Sequence, residues 1–351
     1  MPRLVAPEHD PRPDAEGRTR GMLVDGQWVE RKMESDSSGA FVRPEQPFRS
    51  WLSRPGGSGD FPAESGRYHL FVAGTCPWAH RTLVMRGLLG LEDAITVDSS
   101  DGQSSGGWQF SRGVTCPYFQ DKFGERCVYL HEIYSDVKPD ATCIVTVPVL
   151  YDKKTHRIVS NESADIVRMI GDTMQHLASR PCALAPPQLL PKIDAVNEFV
   201  YNSFNNGVYR AGFAQSHAAH DSAVHDVFTA LDALETRLGR SRYLCGDSIT
   251  EADVRLLPTC VRFDQAYYTA FGCSDRKIAE SYPNVLAWTQ DMVQQPGVRE
   301  TLDYQQYYRT QYPAWGSSPL LAPSFGRLRT ASLAQRGCVC FVASVVLCVQ
   351  L

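Results

Sequence analysis

The chain has 351 residues, 43% hydrophobic and 21% charged, which is ample material for a core and suits two or three globular domains. A formal net charge of −4 excludes whole-molecule attraction to nucleic acid or to an anionic membrane. The 11 cysteines are irregularly spaced, with no Cys-x-x-Cys pair and no Cys/His ladder. That pattern argues against a zinc module or a disulfide framework, so most are expected to be reduced, in the cytoplasm or a similarly reducing compartment.

Residues 1–65 are rich in Pro, Gly, Ser and charge and read as an extended or disordered arm. Their start has no apolar signal core, and Glu8, Asp10, Asp14 and Glu16 disfavour a transit peptide. Phe41, Phe48 and Trp51 are apolar enough to cover a core edge. Arg67–Ala73 then reads as a strand, and Pro77–Gly90 as a helix with Ala79, Leu83, Val84 and Leu88 at helical spacing. Ala94–Val97 is a second strand. Residues 98–142 read as a long loop with one uncertain helix. Thr146–Tyr151 and Arg157–Ser160 are strands, and Asn161–Gly171 opens a helix capped by Ser163 or Asn161. This order predicts a small mixed sheet with helices on its faces over 66–180.

Beyond the Pro-rich hinge 186–191 the periodicity becomes helical. Val196, Phe199, Val200, Ser203 and Phe204 share one face; Val224, Val227, Phe228, Leu231, Leu234 and Leu238 share another. Ser248-Ile249-Thr250-Glu251-Ala252-Asp253 is a capping box with a hydrophobic staple. An all-helical domain is expected over 186–315, then a tail over 316–351. The apolar run Cys338–Val349 is shorter than the roughly 20 residues a bilayer span needs. It is expected to be a partner segment, or a product of how the coding sequence was assembled, ahead of a weak anchor.

Chemistry concentrates at Thr75-Cys76-Pro77-Trp78-Ala79-His80. A cysteine at a strand-to-helix turn meets unpaired N–H groups and a partial positive charge, which favour thiolate. Proline suits the first helical turn, where its missing N–H had no partner. The alternative is an inert buried cysteine at a strand end. Ala79 occupies the place of a second cysteine, so any disulfide chemistry must be resolved by an external thiol. Pro148, at the start of a strand, implies a bend there. A cis Val147–Pro148 bond would expose the Val147 backbone to an extended peptide, but base rates alone favour trans. The helix N-terminus at Glu162-Ser163 has free N–H groups suited to a carboxylate, or to plain capping. Cys116-Pro117 repeats the dipeptide without a clear strand or helix around it and reads as loop. No nucleotide-binding glycine motif is present.

Taken together these elements resemble a glutathione transferase with a thioredoxin-like first domain and a helical second domain. Cys76-Pro77-Trp78-Ala79-His80-Arg81-Thr82, Gly107-Trp108-x-Phe110, Thr146-Val147-Pro148-Val149-Leu150 and Asn161-Glu162-Ser163 carry the resemblance. So do Gly207-Val208-Tyr209-Arg210-Ala211-Gly212-Phe213-Ala214 and Val261-Arg262-Phe263-Asp264. More narrowly the chain is similar to the xi class, the glutathionyl-hydroquinone reductases, over about residues 41–310.

The resemblance implies Cys76 as nucleophile, Trp108 against glutathione, and the Val147 backbone before Pro148 pairing with the cysteinyl unit. It implies Glu162 and Ser163 at the γ-glutamyl end, with Tyr209 and Tyr267 lining an aromatic acceptor pocket. A leaving aromatic carbon needs a proton, so the Tyr209 or Tyr267 hydroxyl is the candidate donor. The implied co-substrate is glutathione with no metal, the substrate a glutathionyl-hydroquinone, and the assembly a homodimer. His80 reads as structural rather than as a base. Around Ala270 and Gly272 the family usually has a histidine and a lysine, a departure that bears on the acceptor pocket and subunit interface. Two alternatives remain: an omega-like thioltransferase or dehydroascorbate reductase using the same cysteine, and a non-catalytic assembly module.

Overall fold

The computed structural model describes residues 19–32 and 34–305. The apolar run 338–349 and the expected tail lie outside them. The chain opens with a hairpin, β1 Thr19–Val24 and β2 Gln27–Lys32, whose Leu23 exchanges both backbone hydrogen bonds with Cys143. Two short parallel strands follow, β3 Leu52–Ser53 and β4 Phe61–Pro62. The first 65 residues therefore include regular structure where the sequence suggests an arm. Phe41 is buried with its ring 5.4 Å from that of Phe213, and Phe48 packs edge-on against Tyr134. Trp51 stays exposed.

The central sheet has four strands in the order β11-β10-β5-β6: Arg157–Ser160, Val149–Asp152, Tyr68–Ala73 and Ile95–Ser100. β5 runs parallel to β6 and antiparallel to β10. Every residue of β5 is buried, His69 included, as suits a mainly apolar strand covered on both faces. Helix α1, Pro77–Leu89, follows β5 and packs against α4, Ser163–Thr173. α1 also meets the helical half, which is why even its His80, Arg81 and Thr82 are buried.

The stretch expected as loop is not one. It forms β7 Gly102–Ser104, β8 Gly107–Phe110 and β9 Val128–Tyr129, with α2 Pro117–Phe123 and α3 Leu130–Val137. β7 is polar throughout, so no apolar alternation signals it. Cys116 is the N-cap of α2 and not a loop residue, although its sulfur is fully enclosed by the core.

The second half is helical: α5 Leu190–Val200, α6 Gly207–Phe213, α7 His217–Leu238 and α8 Glu251–Arg262, followed by a helix at Pro283–Val293. The six apolar residues expected along α7 are all buried. On α5 the expectation is corrected at Phe199, which is exposed: Val196, Val200 and Phe204 form the inward row at steps of four. The capping box at Thr250 is present, and Asp253 also accepts from the Leu244 N–H and Trp288 Nε1 at 3.0 Å each. Among the described residues no helix is long and apolar enough to cross a membrane.

Candidate active site

Cys76 is the N-cap of α1, with extended backbone and Pro77 in the first turn. Its sulfur faces the Trp78 and Ala79 N–H groups. It also lies 3.5 Å from the Val147 carbonyl oxygen, toward which the thiol donates. The Val147–Pro148 bond is cis, correcting the trans expectation. The expectation of a depressed thiol is corrected too. Burial pushes the Cys76 thiol up and outweighs the pull of the two N–H groups and of the Arg262 and Arg43 charges.

Arg262, from the end of α8, is fully buried across the domain boundary. It donates to the Gly74 carbonyl at 2.9 Å, the Pro258 carbonyl at 2.8 Å and His80 Nδ1 at 2.9 Å. Burial and the Arg262 charge hold His80 well below its ordinary range, so it is neutral. Its Nδ1 then accepts from Arg262 and its Nε2–H donates to Thr301 Oγ1 at 2.8 Å. Both nitrogens are engaged in structure, and His80 is no base.

At the start of α4 the cap is Glu162, not Asn161 or Ser163. Its carboxylate accepts from the Ala164 N–H at 3.0 Å and from the Ser163 hydroxyl at 3.4 Å. Asn161 instead ties the preceding loop together through Gln46 and the Tyr134 hydroxyl. Arg81 donates to Ser163 Oγ at 3.4 Å and lies 4.4 Å over the Trp78 ring. Burial, then Arg255, lower its pKa to about 9, leaving it charged at neutral pH. A cleft of about 430 Å3 opens here between the halves, lined by Arg81, Glu162, Trp51, Tyr201 and Arg255 among others. A larger cavity, about 590 Å3, runs along the linker near Pro181–Pro187 and contains none of the expected site residues.

On the helical side, Tyr209 bridges the halves. Its ring is 5.7 Å from Trp78 and 6.1 Å from Tyr267. Tyr267 is buried, and Phe271 lies 5.1 Å from it and 5.5 Å from Tyr209. Gly272 follows with φ +70, and a side chain there would meet His220 Nε2 at 2.6 Å. The backbone at the departure from the family pattern thus favours the glycine present. Trp108 is placed differently. It lies half-buried on β8 opposite Gln103, on a hairpin that follows the end of β6, where Ser100 pairs with Ala73. Among the described residues it stacks on none of the rings beside Cys76.

The structure therefore gathers Cys76, Val147, Pro148, Glu162, Ser163, Tyr209 and Tyr267 around one domain boundary. Sequence reasoning missed Arg43 and the wall it builds with Trp78. It also gave Arg262 no role. Arg43 sits in a stretch without periodicity, and only its long-range partners reveal it.

A mixed sheet with a cysteine at its first helix, joined to a helical half that closes over it, defines a glutathione transferase. Residues 75–173 match the family model for the glutathione S-transferase N-terminal domain, and 217–291 that for the C-terminal domain. The chain is 43% identical to the glutathionyl-hydroquinone reductase YqjG of Escherichia coli K12, over 83% of this chain and 90% of that protein. It is 37% identical to the glutathionyl-hydroquinone reductase PcpF of Sphingobium chlorophenolicum, over 87% and 94% respectively. The xi glutathione transferase structure of Phanerochaete chrysosporium aligns with a TM-score of 0.71 at 38% identity, covering 84% of this chain and 95% of that one. This chain belongs to the xi class of glutathione transferases, the glutathionyl-hydroquinone reductase family.

Proposed function

We propose that this protein removes glutathione from glutathionyl-hydroquinones by monothiol chemistry at Cys76, giving the hydroquinone and oxidised glutathione. The observation that carries the reading is the position of the Cys76 sulfur. It stands at the α1 N-terminus, 3.5 Å from the Val147 carbonyl, with Ala79 where a second thiol would stand. In this reading the tripeptide runs along Val147, before Pro148, with its γ-glutamyl end at Glu162 and Ser163. Trp108 flanks it from β8, and the ring enters between Tyr209 and Tyr267.

The Cys76 thiolate attacks the glutathionyl sulfur. An S–S bond forms, the ring C–S bond breaks, and the ring carbon gains a proton, for which Tyr209 or Tyr267 is the proposed donor. A second glutathione thiolate then attacks the mixed disulfide, releasing oxidised glutathione and restoring Cys76. Two thiols supply the two electrons that reduce the C–S bond. All eight cysteines in the described residues are free thiols, which supports a reducing compartment, here proposed as the cytoplasm. A homodimer is proposed from the family alone.

The test is turnover of glutathionyl-menadiol against turnover of dehydroascorbate. A kcat/KM higher by about tenfold or more for the conjugate supports the reading. Preference for dehydroascorbate would make the protein an omega-like reductase instead.

A further inference from the structure

Among the side chains that the first 65 residues bring to the site is a cationic one beside the nucleophile. Arg43 extends across the domain boundary, with Cζ 4.6 Å from the Trp78 ring centroid, 4.9 Å from Tyr209 and 5.6 Å from Phe41. Its Nε donates to Asn206 Oδ1 at 2.7 Å, which fixes the plane of the guanidinium. Its charge is near enough to Cys76 to favour the thiolate.

Two polar atoms there are left over. Arg43 Nη2 and Trp78 Nε1 are both buried, and neither has a hydrogen-bond partner among the described residues. No carboxylate among those residues forms an ion pair with Arg43. Buried donors are nearly always satisfied, and a charged one most of all. Two orphaned donors on one stacked pair beside the nucleophile mark the place of a ligand oxygen.

We propose, resting on the reductase reading above, that Arg43 binds the acceptor: its guanidinium, held on Trp78 and Tyr209, donates to the hydroquinone oxygen next to the carbon that loses sulfur. In the keto tautomer of the conjugate that carbon has already taken the proton for which Tyr209 or Tyr267 is the proposed donor, the phenolic proton has gone to water, and the neighbouring oxygen is a carbonyl. The Cys76 thiolate forms the S–S bond, and the C–S electron pair becomes a ring C=C bond. The carbonyl pair moves onto oxygen, and the resulting phenolate takes a proton from water. Negative charge grows on that oxygen in the transition state, so a fixed cationic donor there accelerates the step. Arginine suits the position because one planar group both stacks on rings and donates in its plane.

A disulfide substrate has no such oxygen, and its leaving group is a thiolate. The test therefore compares kcat/KM for glutathionyl-menadiol with that for the mixed disulfide of glutathione and cysteamine, in wild type, Arg43→Met and Arg43→Lys. Cys76 alkylation rates, measured alongside, correct for changes in thiolate content. Arg43→Met is expected to lower the conjugate-to-disulfide ratio by about 30-fold or more, and Arg43→Lys by less. A ratio unchanged in Arg43→Met, both substrates losing equally or neither losing, overturns the assignment. Wild type that reduces the disulfide but not the conjugate overturns the reductase reading itself, and Arg43 loses its substrate with it.

Discussion

At Cys76 two opposing effects meet on one sulfur. The α1 N-terminus and two arginines favour the thiolate, while enclosure by the domain boundary opposes it, and enclosure wins. The sign is testable. Iodoacetamide alkylation of Cys76, followed from about pH 6 to about pH 10, is expected to keep rising past the ordinary thiol value of roughly 8.5. A plateau below about pH 8 would contradict the account. Replacing Arg262 with Gln removes a positive charge, so the rise is expected to move further toward alkaline pH. The cysteine and its proline were legible in the sequence because a strand end and a helix start are local. The enclosure was not, since it depends on Arg43, Trp78 and Arg262 meeting from three distant segments.

At the scale of elements, the sheet is pinned where β5 begins and the β10–β11 turn closes. Arg67 clasps the fully buried Asp152 with two hydrogen bonds, at 2.9 and 2.6 Å. Thr155 Oγ1 and the Lys154 N–H donate to the same carboxylate. Burial opposes ionisation of Asp152, but these donors outweigh it and hold the carboxyl below its usual range. A depressed carboxyl contributes stability above its unfolded value near 3.9, lost as pH falls through the folded value. Asp152→Asn is expected to cost about 3 kcal/mol in urea denaturation at neutral pH and less near about pH 3. An equal cost at both pH values would contradict the ion-pair account. The strands here were readable because their apolar runs are bounded by turn residues. The hairpin at 102–110 was not, because β7 is polar throughout and β7 and β8 are only 3 and 4 residues long, too short for an alternation to show. The cap of α4 fell to Glu162 because Asn161 is already held by Gln46 and Tyr134.

Across the whole molecule the site is built at the boundary between halves, and both ends of the described chain return to it. Arg43 comes from the first 65 residues. Thr301, near the C-terminal limit of the described residues, fixes neutral His80, and His80 accepts from the arginine that holds Gly74. The two-part architecture was legible as a change of periodicity at the Pro-rich hinge. The arm's contribution was not, since Pro- and charge-rich sequence carries no periodic signal until it docks. The central claim is that one thiol takes glutathione from its conjugate and gives it up to another glutathione. Intact-mass spectrometry of the protein mixed with glutathionyl-menadiol tests it most directly. One glutathionyl unit is expected on the wild type, absent from Cys76→Ser, and released as oxidised glutathione when glutathione is added. No adduct at any pH, or an adduct that persists in Cys76→Ser, would contradict the account.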